Sequence, residues 1–189
     1  MSAPSLGRRP AVVVCPALAP DLSVPSWHAP LQAALRIAGI PFVAPEPGRP
    51  AGDMQVAEAD DRLALAGWVA DLAVAITGAG LDRDLVLMAS GAGIRGLPAL
   101  GLAQRAARRA VVGYVLVDGH PPAPSTQAAA DWPEAPVLYV RSPGADPLGS
   151  RAASLRGWRC VHADPVRAIP AHVDVWPERP VLPSGTLGP

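Results

Sequence analysis

Six short apolar runs, none alternating polar with apolar residues, constrain the fold of this chain more than any other feature. They are Ala11–Cys15, Pro41–Ala44, Leu85–Ala89, Val111–Val117, Pro136–Val140 and a weaker Trp158–His162. A strand with one wet face alternates with period two. A run that stays apolar needs cover on both faces, as the strands of a parallel sheet do. Helical stretches separate the runs. The first starts at Ser26, a good N-cap residue, and carries Leu31 and Leu35 to a stop at Gly39. The second, Ala57–Ala79, aligns Leu65, Trp68, Val69, Leu72, Ala73 and Ile76 on one face. The third, Ile94–Arg109, sets Leu97, Leu100 and Ala103 or Gln104 in series. It closes on Arg105, Arg108 and Arg109, which suit the negative end of a helix dipole. A short fourth spans Pro147–Arg156. Strands alternating with helices predict right-handed βαβ units and an α/β fold: a doubly wound, mostly parallel sheet of about six strands with helices on both faces.

At 189 residues the chain suits a single domain. That domain is expected over 10–176, between a flexible N-terminus (1–9) and a Pro-rich tail (177–189). The 24 Pro and 18 Gly fall between apolar runs rather than in one block, so they read as short connections and not as a disordered tract. Sixteen basic and sixteen acidic side chains cancel, and every basic one is Arg. That balance argues against a nucleic-acid partner, which calls for surplus positive charge, and against a polybasic membrane surface. No run approaches the roughly 18 to 20 apolar residues that cross a bilayer. Arg8-Arg9 precedes an apolar stretch that ends at Pro16, too short for a secretory leader. Cys15 and Cys160 sit in separate strand-like runs without metal-type spacing, and are expected to be reduced core residues of a cytoplasmic protein. No metal or other cofactor is implied.

Ligands of a doubly wound sheet bind beyond the carboxyl ends of its strands. The loops there are Pro16–Pro25, Pro45–Asp53, Ser90–Gly96, Asp118–Pro124, Ser142–Pro147 and Ala163–His172. Several strings in and around them, in this order, resemble the α/β-hydrolase fold superfamily. Residues 16–27, ending in Trp27, resemble the family's loop after its third strand. Ile40-Pro-Phe-Val-Ala-Pro-Glu-Pro-Gly48 resembles its V-x-A-P-D-x-P-G segment. Leu85-Val-Leu-Met-Ala-Ser-Gly-Ala-Gly93 resembles the nucleophile elbow, Val115–Asp118 and Pro136–Val140 resemble the next two strands, and Ala171-His172 falls where the family keeps its catalytic histidine. The resemblance covers about residues 10–176 and implies a small hydrolase-like domain whose sheet begins near the family's third strand. The stretch 119–134 is too short for a large lid, which implies an open or shallow site. The sheet edge left by missing strands offers a place for a homodimer or a protein partner.

The resemblance implies ester or thioester hydrolysis of a small molecule. Ser90 would attack, His172 would shuttle the proton and Asp146 would orient His172. The amides of Gly91 or Ala17 would hold the oxyanion, with Asp118 and His120 as an alternative acid or substrate contacts. A second register is open, because the elbow pattern is small-x-nucleophile-x-small. Centred on Ser90, it places Met88 at a small position. Centred on Gly91, it places Ala89 and Gly93 there and leaves no nucleophile. The chain then becomes a catalytically altered scaffold: a binding protein, a partner subunit or a non-hydrolytic enzyme. Plainer accounts make Asp146 a turn residue before Pro147 and His172, Asp118 and His120 solvated loop residues. His28 would face solvent, His162 would end a strand, and Asp21 would shape the mouth of the site or cap a turn. A third reading uses Gly91, Gly93 and Gly96 as G-x-G-x-x-G, with Asp118 ending the next strand, to seat a dinucleotide.

Overall fold

The computed structural model describes residues 9–18, 25–45, 61–81, 83–122 and 135–176. In chain order the elements are β1 (Ala11–Val14), α1 (His28–Ile37), β2 (Phe42–Val43), α2 (Asp61–Gly78), β3 (Leu85–Ser90), a 3-10 helix (Gly91–Gly96), α3 (Leu97–Ala106), β4 (Val111–Val117), β5 (Val137–Arg141), α4 (Pro147–Ser154), β6 (Arg159–His162) and α5 (Pro165–Asp174). The expected Asp21, the loop from 46, the segment 123–134, residues 1–8 and the tail 177–189 lie outside the described residues.

The strands form one six-stranded sheet in the order β2-β1-β3-β4-β5-β6. Every ladder is parallel, with Val12 opposite Val86, Met88 opposite Val115 and Val140 opposite Val161. The chain leaves β1 toward one edge, returns past it to β3 and then advances to the other edge. That reversal puts the topological switch between β1 and β3, beside the elbow.

The apolar runs carry no alternation because alternate residues of the same strand enter different cores. Val13, Leu87, Leu116 and Tyr139 pack with Leu72, Ile76, Leu97, Leu100 and Ala153, from α2, α3 and α4. Val12, Val86, Val115 and Val140 pack on the opposite face with Leu31, Leu35, Ala168, Ile169 and Val173, from α1 and α5. Truncating one of these central residues to Ala, such as Leu87, costs about 2–5 kcal/mol.

Four expectations need correction. The stretch Ala163–His172 is not a loop: it contains most of α5, whose start is capped by Asp164 accepting from the Val166 amide at 3.0 Å. Pro170 lies inside that helix. The N-cap of α1 is Trp27, without a side-chain hydrogen bond, and not Ser26. β6 is not covered on both faces: Arg159, Cys160 and His162 are exposed, as suits an edge strand. Cys160 is accordingly a surface thiol, whereas Cys15 lies in the core.

Candidate functional site

β3 delivers the elbow. Its last residue, Ser90, is still extended (φ −122°, ψ 160°). The next residue, Gly91, takes φ +53° and starts the 3-10 helix that leads into α3. The sharp reversal therefore falls on Gly91. Among the described residues, a Cβ built on Gly91 would meet no atom within 4 Å beyond its chain neighbours, so the space before the apex is open there.

The glycines that follow answer to packing. A Cβ on Gly96 would stand 2.5 Å from the Trp68 ring, and one on Gly93 would stand 3.5 Å from it. Trp68 reaches across from α2 to donate its indole N–H to the Pro16 carbonyl at 3.2 Å. The indole seated under the 3-10 helix thus accounts for Gly96, whereas Gly91 takes a positive φ and a Cβ on Gly93 would meet only ordinary van der Waals contacts; the loop of Pro16 and half-buried Ala17 is tied to the same spot.

The end of β4 closes on the elbow from the other side. A Cβ on Gly119 would collide with the Ile94 side chain and stand 2.6 Å from the Gly91 carbonyl oxygen. The Gly119 carbonyl accepts from the buried Tyr139 hydroxyl at 2.9 Å. Burial, with Asp118 nearby, pushes the Tyr139 phenol up to about 12, so it stays a donor. Asp118 itself has a positive φ of 49°. Its carboxylate accepts from the Ser142 amide at 2.7 Å and from the Ser142 hydroxyl, clamping the ends of β4 and β5 together. Ser142 carried no signal of its own in the sequence beyond its place at a strand's carboxyl end.

Asp146 performs two tasks. Oδ1 caps α4 by accepting from the Leu148 amide at 2.9 Å, and Oδ2 lies 3.7 Å from His120 Nε2. His120 is exposed and follows Gly119 directly, one residue beyond the contact with Gly91. Asp146 thus meets a histidine, but that histidine is His120.

His172 is elsewhere. α5 starts after β6 at the carboxyl edge of the sheet and runs back to the amino edge. There Asp174 pairs with Arg9 at 2.8 Å, and Trp176 donates to the Val112 carbonyl at 2.9 Å. His172 sits two residues before Asp174 and hydrogen-bonds through Nδ1 to the Ala168 carbonyl at 2.8 Å, within its own helix. The structure does not bring His172 together with Ser90 or Asp146.

His28, expected to face solvent, is half-buried at the start of α1 and hydrogen-bonds to the Cys15 backbone at the end of β1. Burial lowers its pKa; the bond to Cys15 opposes this without prevailing. His162 does end β6, where Arg141 donates to its ring at 3.0 Å. Among the described residues no group of three or more His, Cys, Asp or Glu side chains stands close enough to hold a metal ion. No described helix is long and apolar enough to cross a membrane.

No family model matches this sequence, and no curated protein matches it. Solved structures do match its fold. The Vlm2 thioesterase domain, solved with a dodecadepsipeptide, superposes with a TM-score of 0.54 at 14% identity, over 89% of this chain and 92% of that one. The hyperthermophilic esterase of the archaeon Pyrobaculum calidifontis gives 0.52 at 16% identity, over 88% and 77%. The carboxylesterase Cest-2923 of Lactobacillus plantarum gives 0.50 at 14% identity, over 83% and 71%. The fold is therefore α/β-hydrolase-like.

Proposed function

We propose that this α/β-hydrolase-like chain takes a small carbonyl ligand, an ester or thioester, at the elbow and handles it without an acyl-enzyme. The observation that carries this reading is the placement of the turn. The strained reversal that exposes a nucleophile in an elbow falls on Gly91, which has open space where a side chain would stand. Ser90 is an extended strand residue. The fold neighbours named esterases and a thioesterase support an acyl ligand as the class to try first.

The alternative is serine-dependent hydrolysis through Ser90, His172 and Asp146. It needs base and nucleophile within hydrogen-bond reach, and the path of α5 to the far edge of the sheet weighs against it. A fluorophosphonate probe separates the two readings. The expected result is no covalent label on the native protein, together with a rise of several degrees in thermal midpoint with S-acetyl-N-acetylcysteamine, since only binding to the folded state raises stability. Labelling at Ser90 that Ser90→Ala abolishes overturns the proposal.

A further inference from the structure

The carboxyl edge of the sheet holds a histidine–carboxylate pair that the elbow resemblance does not supply. His120 Nε2 lies 3.7 Å from Asp146 Oδ2. Both side chains are more than half exposed, so water reaches them. Their placement is nevertheless built. Asp146 is anchored through its other oxygen as the N-cap of α4. His120 is anchored by Gly119, which fits against the Gly91 backbone only because it has no side chain and whose carbonyl is held by Tyr139. The clamp of Asp118 on Ser142 fixes the two strand ends that carry these residues.

We propose that His120, oriented by Asp146, is the general base of this site and activates water for direct attack on an acyl group held over Gly91. This rests on the reading that no acyl-enzyme forms. With Nε2–H turned to Asp146, Nδ1 is the free base. It takes a proton from water as the water oxygen bonds to the carbonyl carbon. The bond from that carbon to the leaving oxygen or sulfur then breaks, and the leaving group takes the proton back from the imidazolium. The sum is ester plus water giving acid plus alcohol, or thioester plus water giving acid plus thiol, with nothing else consumed. The vacancy before Gly91 gives the water a place that a serine side chain would otherwise fill. Such a histidine contributes roughly 10²–10⁴-fold.

Hydrolysis of p-nitrophenyl acetate by the full-length protein and its variants provides the test. Wild type is expected to turn over, and His120→Ala to lose about 100-fold or more. Added imidazole should restore saturable turnover to that variant beyond the rate of imidazole alone. Asp146→Asn, which keeps a capping side chain, should lower kcat about tenfold while α4 and the thermal midpoint persist. His172→Ala, at the opposite edge of the sheet, should stay near wild type and gain nothing from imidazole. Rescue is the decisive readout, because a histidine with a structural role is not replaced by free imidazole. Turnover of His120→Ala within twofold of wild type, absence of rescue, or absence of wild-type turnover each overturns the dyad. Those failures leave the acyl-enzyme question to the fluorophosphonate label, which reads the elbow independently.

Discussion

Gly91 and Gly119 touch each other, yet side chains added to them have opposite prospects. At Gly91 the obstacle is conformational. A non-glycine residue at φ +53° is strained, but its Cβ would enter open space. Gly91→Ala is expected to cost about 1–2 kcal/mol in urea unfolding while the protein folds normally. At Gly119 the obstacle is the Gly91 carbonyl, a backbone atom that cannot swing aside. Gly119→Ala should cost more than Gly91→Ala, about 3 kcal/mol or beyond. His28 adds a pH dependence. Its folded pKa lies below the ordinary 6.5 because of burial, so the folded state binds fewer protons than the unfolded one in the window just beneath that value. Stability should therefore fall as pH drops below about 6.5, until the folded ring's own lower pKa is passed. Urea midpoints across that window should decline less steeply in His28→Gln. What was legible here was that Ser90, Asp118 and His120 lie at or just beyond the carboxyl ends of strands. The pairing was not legible, because whether Asp146 meets His120 or His172 depends on the direction in which α5 runs.

Helix starts repeat one device. Asp146-Pro147 and Asp164-Pro165 each place a carboxylate at the N-cap and a proline at the first helical position, with bonds of 2.9 and 3.0 Å to the amide two residues on. Asp164→Ala should therefore cost about 1 kcal/mol, measurable by thermal or urea unfolding, and Asp164→Asn much less. The repetition is visible in the sequence, yet it was not what predicted α4, and α5 was read as a loop. Pro170 lies inside α5, although a proline in a helix interior removes one backbone bond and crowds the preceding turn. Here Ile169 and Val173, packed against the sheet on either side of it, hold the helix nonetheless. α1 shows the converse. Ser26 had the chemistry of a cap, but the chain turns one residue later at Trp27, which stacks at a tilt on His28 with ring centroids 5.6 Å apart.

At the scale of the whole molecule, the uniformly apolar runs sufficed to predict a parallel sheet buried between helices, since each strand feeds two cores. The same rule failed at β6, the weakest of the six runs, which the sheet order places at an edge. The two thiols report the difference. Cys160 is exposed, whereas Cys15 is buried and its thiol pKa is pushed well up by that burial. A disulfide reagent such as DTNB should titrate one thiol quickly in the native protein and the second only on unfolding, with a rate that tracks global opening. Finally, parallel pairing throughout the described sheet means that no two of its neighbouring strands can close as a hairpin. The β1–β3 ladder, which joins Val12 to Val86, must wait for the intervening chain, including α1, β2 and α2, to be brought in. Refolding should accordingly be slow for a chain of this length, and the elbow, seated on that ladder, takes shape only when segments separated by two helices and a strand have already met.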